Sequence, residues 1–238
     1  MNYYNEFNPQ SAAMLRQMML DGIIPKGEVD ERSIIEVTKH DLRGYKQHHF
    51  FAGIGGWPIA LAIVGWPEDE PVWTGSCPCQ PFSSTGKNLR QSDERHLWPT
   101  WSRLISESKP PIIFGEQVDE AIATGWWDDV CYDLEKEGYA CAAAILPATS
   151  VQKNHERNRL FFVANSTLQQ RVYEPNAWKE KKRLYHDQNY GETDSWDEAM
   201  PKVYSIYDGI PTEVSLFHAF GNAIVPQKAA NFIEAAIS

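Results

Sequence analysis

The sequence predicts an α/β protein: a parallel sheet with helices on both faces. Short apolar segments alternate along the chain with amphipathic segments that have helical spacing, and glycine and proline residues separate them. Alternation of strands and helices is typical of such sheets. With 238 residues, the chain is long enough for one domain of this class and a small additional segment.

The predicted elements follow in this order. A helix covers residues 9–20, with Ser11 as a candidate cap, and Gly22 and Pro25 end it. Predicted strands cover residues 48–51, 71–76, 112–114, 140–146 and 159–164, and predicted helices cover residues 58–64, 97–108 and 126–138. Residues 165–205 mix polar and aromatic side chains without a clear period, which indicates a loop-rich insertion. A last helix follows Pro226.

The composition is that of a globular protein, with 42% hydrophobic and 23% charged residues. No apolar run approaches the roughly 20 residues that span a bilayer, and the N-terminus lacks the pattern of a secretion signal. We therefore expect a cytoplasmic protein without a membrane partner. The four cysteines predict neither a disulfide framework nor a metal site. The formal charge of −10 disfavours nucleic-acid binding, although binding requires only one basic face.

Two segments carry candidate chemistry. Cys79 lies between Pro78 and Gln80, directly after a predicted strand, where a thiol can act as a nucleophile. A turn with a buried cysteine is the alternative. Residues 53–56 form a glycine-rich turn between a strand and a helix, where the backbone can approach an anionic ligand closely. An ordinary strand-to-helix turn is the alternative there.

Five motifs together resemble the DNA cytosine-5 methyltransferase family. They are Phe51–Gly56, Pro78-Cys79-Gln80, Gly115-Glu116-Gln117-Val118, Arg157-Asn158-Arg159 and Gly221-Asn222-Ala223. The resemblance implies a Rossmann-like methyltransferase sheet that uses S-adenosylmethionine (SAM). It also implies that the glycine turn cradles the methionine part of SAM. The residues it assigns to that part are Phe51, Gly53, Gly55, Gly56 and Asn222.

The spacing of the motifs departs from the family pattern. The family has two further strands between the glycine turn and the cysteine loop, but here Gly56 is followed too soon by Cys79 for both. Residues 3–8 and 27–34 resemble these strands, so we expect a circular permutation in which they come first. Glu6 would bind the ribose, Phe7 would stack on adenine, and Asp30, or else Glu28, would contact the adenine amino group. Residues 1–45 could instead be an N-terminal extension.

The resemblance also assigns the catalytic residues. Cys79 would add to C6 of cytosine, and Glu116, protonated through a raised pKa, would bind N3 and the amino group. Gln117 stands where the family usually has asparagine. Arg159 would hold the O2 side of cytosine and Arg157 the phosphate region. Three further candidates for substrate contact are Gln80, Ser83 and His155, the last replacing a glutamine; a solvated strand start is the alternative for the arginine motif.

The remaining expectations concern the substrate and the domains. Residues 1–164 and 218–238 form the catalytic domain, and residues 165–217 form a target-recognition segment much shorter than the family's usual one. Lys181 and Arg183 in this segment would contact DNA, or would simply face solvent. We expect double-stranded DNA with a flipped cytosine as the substrate, and a monomer that could need a partner for target recognition. An RNA (tRNA) cytosine-5 methyltransferase and a non-catalytic DNA- or partner-binding homologue are the alternatives.

Overall fold

The computed structural model describes residues 1–78, 97–147, 158–166 and 224–237. The described strands are β1 (Asn2–Asn5), β2 (Gly27–Asp30), β3 (Gln47–Phe50), β4 (Val72–Gly75), β5 (Ile112–Val118), β6 (Tyr139–Leu146) and β7 (Arg159–Ser166). The described helices are α1 (Pro9–Leu20), α2 (Gly56–Ile63), α3 (Trp98–Ser108), α4 (Glu120–Ala123), α5 (Trp126–Lys136) and α6 (Pro226–Ile237).

The strands form one seven-stranded sheet in the order β2-β1-β3-β4-β5-β7-β6. Neighbours from β2 to β5 pair in parallel, whereas β7 lies antiparallel to both β5 and β6. The expectation of an α/β sheet is therefore confirmed, but the sheet is mixed and not wholly parallel. At one end of the sheet β2 is the edge strand, and β1 lies between β2 and β3.

Helices cover both faces of the sheet, as predicted. Successive strand residues point to opposite faces, so Ile113 belongs to one core cluster and Phe114 to another. On one face α3 and α5 pack over the first cluster. On the other face α2 and α6 share the second cluster, and α1 packs with Ile59 and Ile63 of α2 in a third. Burial on both faces explains the apolar start of β5, Ile112–Phe114, whereas β3 buries three polar residues, Gln47, His48 and His49.

Several predicted boundaries hold and some do not. Helix α1 covers the predicted residues 9–20, but its cap is Asn8 and not Ser11, because the Asn8 side chain accepts from the amides of Gln10 and Ser11. Strand β5 continues to Val118, beyond the predicted 112–114. The short helix α4 was not predicted. Within the described ranges, no helix combines the length and apolar character that crossing a bilayer requires.

Candidate active site

The glycine turn after β3 has the backbone of a ligand-binding loop. Phe51 has a φ of 51°, a left-handed conformation that costs a bulky residue about 1–2 kcal/mol. Gly53 and Gly55 follow with φ values of 54° and 77°, and α2 begins at Gly56. A Cβ added at Gly53 would meet no atom within 4 Å. The turn therefore leaves open space at Gly53 beside the N-terminus of a helix, where unpaired amides favour anionic groups.

Gly56 serves a different purpose, because it allows the C-terminal segment to approach the turn. A Cβ at Gly56 would lie 2.5 Å from Cγ1 of Ile224 and 3.4 Å from its carbonyl oxygen. Ile224 is buried at this contact. Asn222, which precedes it by two residues, lies outside the described residues, so its role toward the cofactor stays a prediction.

The N-terminal strand brings Glu6 to the glycine turn. Strand β1 pairs with β3, and the amide of Ala52 donates to the Asn5 carbonyl at 3.0 Å. One residue later, Oε2 of Glu6 accepts a hydrogen bond from the Gly53 amide at 2.6 Å, and Oε1 accepts from the Asn8 amide at 2.8 Å. Burial raises the pKa of the Glu6 carboxyl, although both amide bonds act in the opposite direction. The Glu6 carboxyl group therefore lies directly at the turn, and its assignment as the ribose ligand stays a prediction.

The other residues assigned to adenine differ in their surroundings. Phe7 is 72% exposed, so one aromatic ring beside Glu6 is available for stacking. Asp30 is buried and bound to the Arg32 guanidinium, with Nη2 to Oδ2 at 2.6 Å, and it accepts from the Tyr3 hydroxyl at 2.7 Å. Burial opposes ionisation of Asp30, but these bonds outweigh it, and its pKa lies below the ordinary value. The geometry favours a structural role for Asp30.

The alternative residue, Glu28, is exposed and accepts a hydrogen bond from the Tyr45 hydroxyl. Its carboxylate is thus also engaged by a partner within the chain. Neither acid is distinguished by its surroundings as a ligand of adenine, and both assignments stay predictions.

Strand β4 leads directly into the cysteine loop through Ser76 and Cys77. Cys77 is 3% exposed, and its carbonyl accepts a hydrogen bond from Nε2 of Gln117 at 2.9 Å. The Gln117 amide is oriented in turn, because its Oε1 accepts from the Val118 amide. The longer side chain that replaces the family's asparagine therefore reaches the loop. Pro78 is exposed at the end of the described segment.

Three residues of the loop lie outside the described residues: Cys79, Gln80 and Ser83. The same holds for His155 and Arg157 of the arginine motif and for Lys181 and Arg183 of the recognition segment. Their assigned roles stay predictions.

Glu116 and Arg159 form an ion pair across two antiparallel strands. Arg159 begins β7 opposite Val118, and its Nε lies 2.8 Å from Oε1 of Glu116. The Glu116 side chain is 7% exposed and the Arg159 side chain 19% exposed. The sequence predicted both residues at the site but assigned Arg159 to the substrate. The structure shows its guanidinium beside the acid, where it can fix the orientation of the carboxyl group, and the assignment to the substrate stays a prediction.

These features meet at one edge of the sheet. The register pairs Phe50 with Gly75, and Gly75 with Gly115, on three neighbouring parallel strands. The glycine turn, residues 76–78 and Glu116 each follow one of these paired positions, so they lie side by side toward the carboxyl ends of the strands. Ligands of open α/β sheets bind at this edge. The arrangement can place a cofactor beside a buried acid.

The sequence missed two contacts in this region. The Trp57 indole donates to the Ser76 hydroxyl at 3.2 Å, joining α2 to the residue after β4. A Cβ on Gly115 would lie 2.0 Å from Cζ of Phe162, so Gly115 is required by the packing of β7 against β5. Neither contact has a local sequence signal, because each joins residues far apart in the chain.

Comparison with curated proteins finds several bacterial and viral methyltransferases. The chain is 33% identical over 93 residues to Type II methyltransferase M.NgoMIV of Neisseria gonorrhoeae, covering 38% of this chain and 30% of that protein. It is 30% identical over 100 residues to M.CviJI of Paramecium bursaria Chlorella virus IL3A, covering 42% and 27%. It is 24% identical over 211 residues to M.HgiCII of Herpetosiphon aurantiacus, covering 70% and 44%. The chain thus matches less than half the length of each of these relatives.

Solved structures with a similar fold include two Dnmt2 proteins. The Spodoptera frugiperda DNMT2 E260A/E261A/K263A mutant has a TM-score of 0.47 at 15% identity, covering 69% of this chain and 42% of that chain. The S. pombe Dnmt2 methyltransferase has a TM-score of 0.45 at 13% identity, covering 83% and 57%.

The family comparison is more direct. The model of the C-5 cytosine-specific DNA methylase family matches residues 65–204, more than half of the chain. The matched range contains the cysteine loop, Glu116 and both arginines of the motif, and it begins after the glycine turn. With these motifs in the matched range and Glu116 buried beside Arg159, the chain belongs to the C-5 cytosine-specific DNA methylase family.

Proposed function

We propose that this chain transfers a methyl group from SAM to C5 of cytosine in double-stranded DNA. The reaction proceeds through a covalent bond between Cys79 and C6 of a cytosine that is flipped out of the duplex. The observation that carries the proposal is the Glu116–Arg159 pair. Glu116 lies on β5, which pairs with β4, and β4 leads into Pro78-Cys79-Gln80. Family membership supports the same reaction.

The residues at the sheet edge fit SAM. Glu6 would bind the ribose hydroxyls, Phe7 would stack on adenine, and the space beside Gly53 would take the methionine part. SAM supplies an electrophilic methyl group carried on a positively charged sulfur. The carboxylate of Glu6 and the exposed ring of Phe7 favour a cationic ligand with an aromatic base. Phe51, in its strained conformation, fixes the backbone at which these groups meet.

A circular permutation accounts for the position of Glu6. The resemblance places the ribose strand and the adenine strand after the glycine turn, whereas β1 and β2 here precede it in the chain and lie beside β3 in the sheet. The hydrogen bond from Gly53 to Glu6 joins the two segments directly. The family match begins at residue 65, as expected if the rearranged part is not aligned. These three observations favour permutation over a simple N-terminal extension.

The chemistry assigned to the chain is nucleophilic activation of the base. The Cys79 thiolate forms a bond to C6, and the electron pair of the C5–C6 double bond becomes available at C5. Glu116, ion-paired with Arg159 in the structure, would take up a proton when the base binds and then donate a hydrogen bond to N3, which favours the attack at C6. C5 then takes up the methyl group as the bond between that group and the sulfur of SAM breaks, which leaves S-adenosylhomocysteine. A water molecule takes the C5 proton, and the electron pair of the C5–H bond returns to the ring. The C6–S bond then breaks, which restores the aromatic base and the thiolate.

Flipping of the base follows from the proposed chemistry. An enzyme cannot reach its target atom within the base stack, so a cytosine that is attacked at C6 must leave the stack. Lys181 and Arg183 in the target-recognition segment would neutralise phosphates, which compensates locally for the acidic net charge of −10.

Covalent trapping tests the proposed reaction. Duplex DNA containing 5-fluorocytosine cannot lose the C5 substituent, so the enzyme with SAM should accumulate a stable protein–DNA adduct. Cys79→Ser should form none, whereas Cys77→Ser, at the neighbouring buried thiol, should form it. A parallel arm with tRNA containing 5-fluorocytidine separates the two substrates. Adduct on tRNA alone would contradict a DNA substrate, and no adduct on either would contradict the enzymatic proposal.

SAM affinity tests the role of Glu6. Glu6→Ala should weaken SAM binding at least about tenfold, equivalent to about 1.4 kcal/mol, measured by calorimetry. The SAM affinity of Glu6→Gln should lie between those of the unmodified protein and Glu6→Ala, because the glutamine amide oxygen can still accept the Gly53 hydrogen bond. Glu36→Gln is the matched control, because Glu36 is an exposed acid outside the residues assigned to SAM. Unchanged affinity in Glu6→Ala would remove the support for both the ribose site and the permutation.

A further inference from the structure

The base of the cysteine loop is held from two sides by side-chain hydrogen bonds. Nε1 of Trp57 donates to Oγ of Ser76 at 3.2 Å. Nε2 of Gln117 donates to the carbonyl oxygen of Cys77 at 2.9 Å. Ser76 and Cys77 are the two residues between the end of β4 and Pro78. Each of them is thus tied to a different neighbouring element, one to α2 and one to β5.

Trp57 is a rigid donor. It is the second residue of α2 and is 2% exposed. Its indole stacks on Phe114 with a centroid distance of 6.3 Å and meets Phe161 edge-on at 6.1 Å. A buried tryptophan N–H normally finds an acceptor, and within the described part of the chain that acceptor is Ser76. The core therefore fixes the direction from which Ser76 is held.

We infer that Trp57 and Ser76 are positioning residues for Cys79, an inference that rests on the proposed function. Trp57 directly follows the glycine turn, and Ser76 precedes Cys79 by three residues. Helix α2, which directly follows the proposed cofactor turn, therefore also holds Ser76. Misplacement of a reacting group by about 1 Å can cost about 100-fold in rate, so a fixed loop base has catalytic value.

Removal of the acceptor should slow the covalent step. Ser76→Ala leaves the Trp57 N–H without its partner and frees one side of the loop base. We expect formation of the Cys79–DNA adduct to slow about 3- to 10-fold, the effect of losing one ordinary hydrogen bond. SAM affinity should stay within about twofold, because the substitution touches no proposed SAM contact. Ser76→Thr, which keeps the hydroxyl, should restore the rate.

A double-mutant cycle separates this role from a general loss of structure. Trp57→Phe removes the donor but keeps an aromatic ring in the core. If the hydrogen bond positions the loop, Trp57→Phe combined with Ser76→Ala should be no slower than the slower single variant, because both remove the same bond. Additive losses, or a Ser76→Ala adduct rate equal to that of the unmodified protein, would overturn the inference.

Alkylation of Cys79 distinguishes failure of the inference from failure of the proposed function. The rate of Cys79 modification by iodoacetamide, followed by peptide mass spectrometry, needs neither DNA nor SAM. If the unmodified protein forms no adduct, the proposed function fails, and alkylation alone then decides the inference. A shift of about threefold or more shared by Ser76→Ala and Trp57→Phe, and reversed in Ser76→Thr, supports positioning. Equal rates in all four proteins overturn it.

Discussion

Removing Arg159 should destabilise the protein far more than removing an exposed arginine. The Arg159 Nε lies 2.8 Å from Glu116 Oε1, and the two side chains are 19% and 7% exposed. Breaking a buried ion pair by deleting one partner costs about 3–5 kcal/mol, because a charge is left without compensation. Since solvent reaches Arg159 in part, we expect Arg159→Met to lower the free energy of unfolding by about 3 kcal/mol, the lower end of this range. For a protein of this size, that corresponds to a fall in Tm of about 6–12 °C.

Thermal and urea unfolding measure this loss. Arg16→Met is the matched control, because Arg16 pairs with Glu31 at 2.6 Å on the surface, with exposures of 48% and 39%. Its cost should be about 1 kcal/mol or less. Combining Arg159→Met with Glu116→Gln should recover part of the loss, since the uncompensated charge is gone. The reasoning is wrong if Arg159→Met and Arg16→Met are equally stable, or if the double variant is less stable than Arg159→Met.

Two further predictions concern the core. Gly115→Ala should lower the free energy of unfolding in urea by about 3 kcal/mol or more, because its Cβ would lie 2.0 Å from the Phe162 ring. Gly125→Ala, whose Cβ would meet nothing within 4 Å, should lose only about 1–2 kcal/mol through left-handed backbone strain, and equal losses would contradict the packing role of Gly115. Burial lowers the pKa of His48 to about 4 and that of His49 to about 3. Because a histidine in the unfolded chain has a pKa of about 6.5, the unfolded chain binds more protons than the folded protein below that pH. The free energy of unfolding should therefore fall by about 1 kcal/mol per pH unit for each ring as pH drops from 6 to 4. If His49→Gln shows the same pH slope as the unmodified protein, His49 does not contribute as argued.

The elements that could be predicted are those with local signals. Helix α1 begins at Pro9 and ends before Gly22, and both residues are strong boundary signals. Its cap was misplaced because Ser11 and Asn8 are both good cap residues. Asn8 is the one directly before Pro9, whose missing N–H needs no partner.

The direction of β7 could not be predicted. A strand buried on both faces is apolar throughout whether it runs parallel or antiparallel to its neighbours. The pairing of Glu116 with Arg159 depends on this direction, since the antiparallel register brings Arg159 opposite Val118. The sequence therefore predicted both residues of the pair for the site but did not predict their contact. The same limit applies to Trp57 and Ser76, which meet only through the packing of α2.

The proposed permutation leaves the site unchanged because of where the chain connections lie. At the carboxyl edge, β1 leads into α1 through residues 6–8, and β3 leads into α2 through residues 51–55. Both connections are intact strand-to-helix turns, and they carry Glu6 and the glycine turn. Under the proposal, the altered connections are the returns toward β3 and β4, residues 31–46 and 64–71, which enter the amino ends of those strands. A rearrangement confined to such returns changes the order of the strands along the chain. It preserves the contact between Glu6 and Gly53 on which cofactor binding would depend.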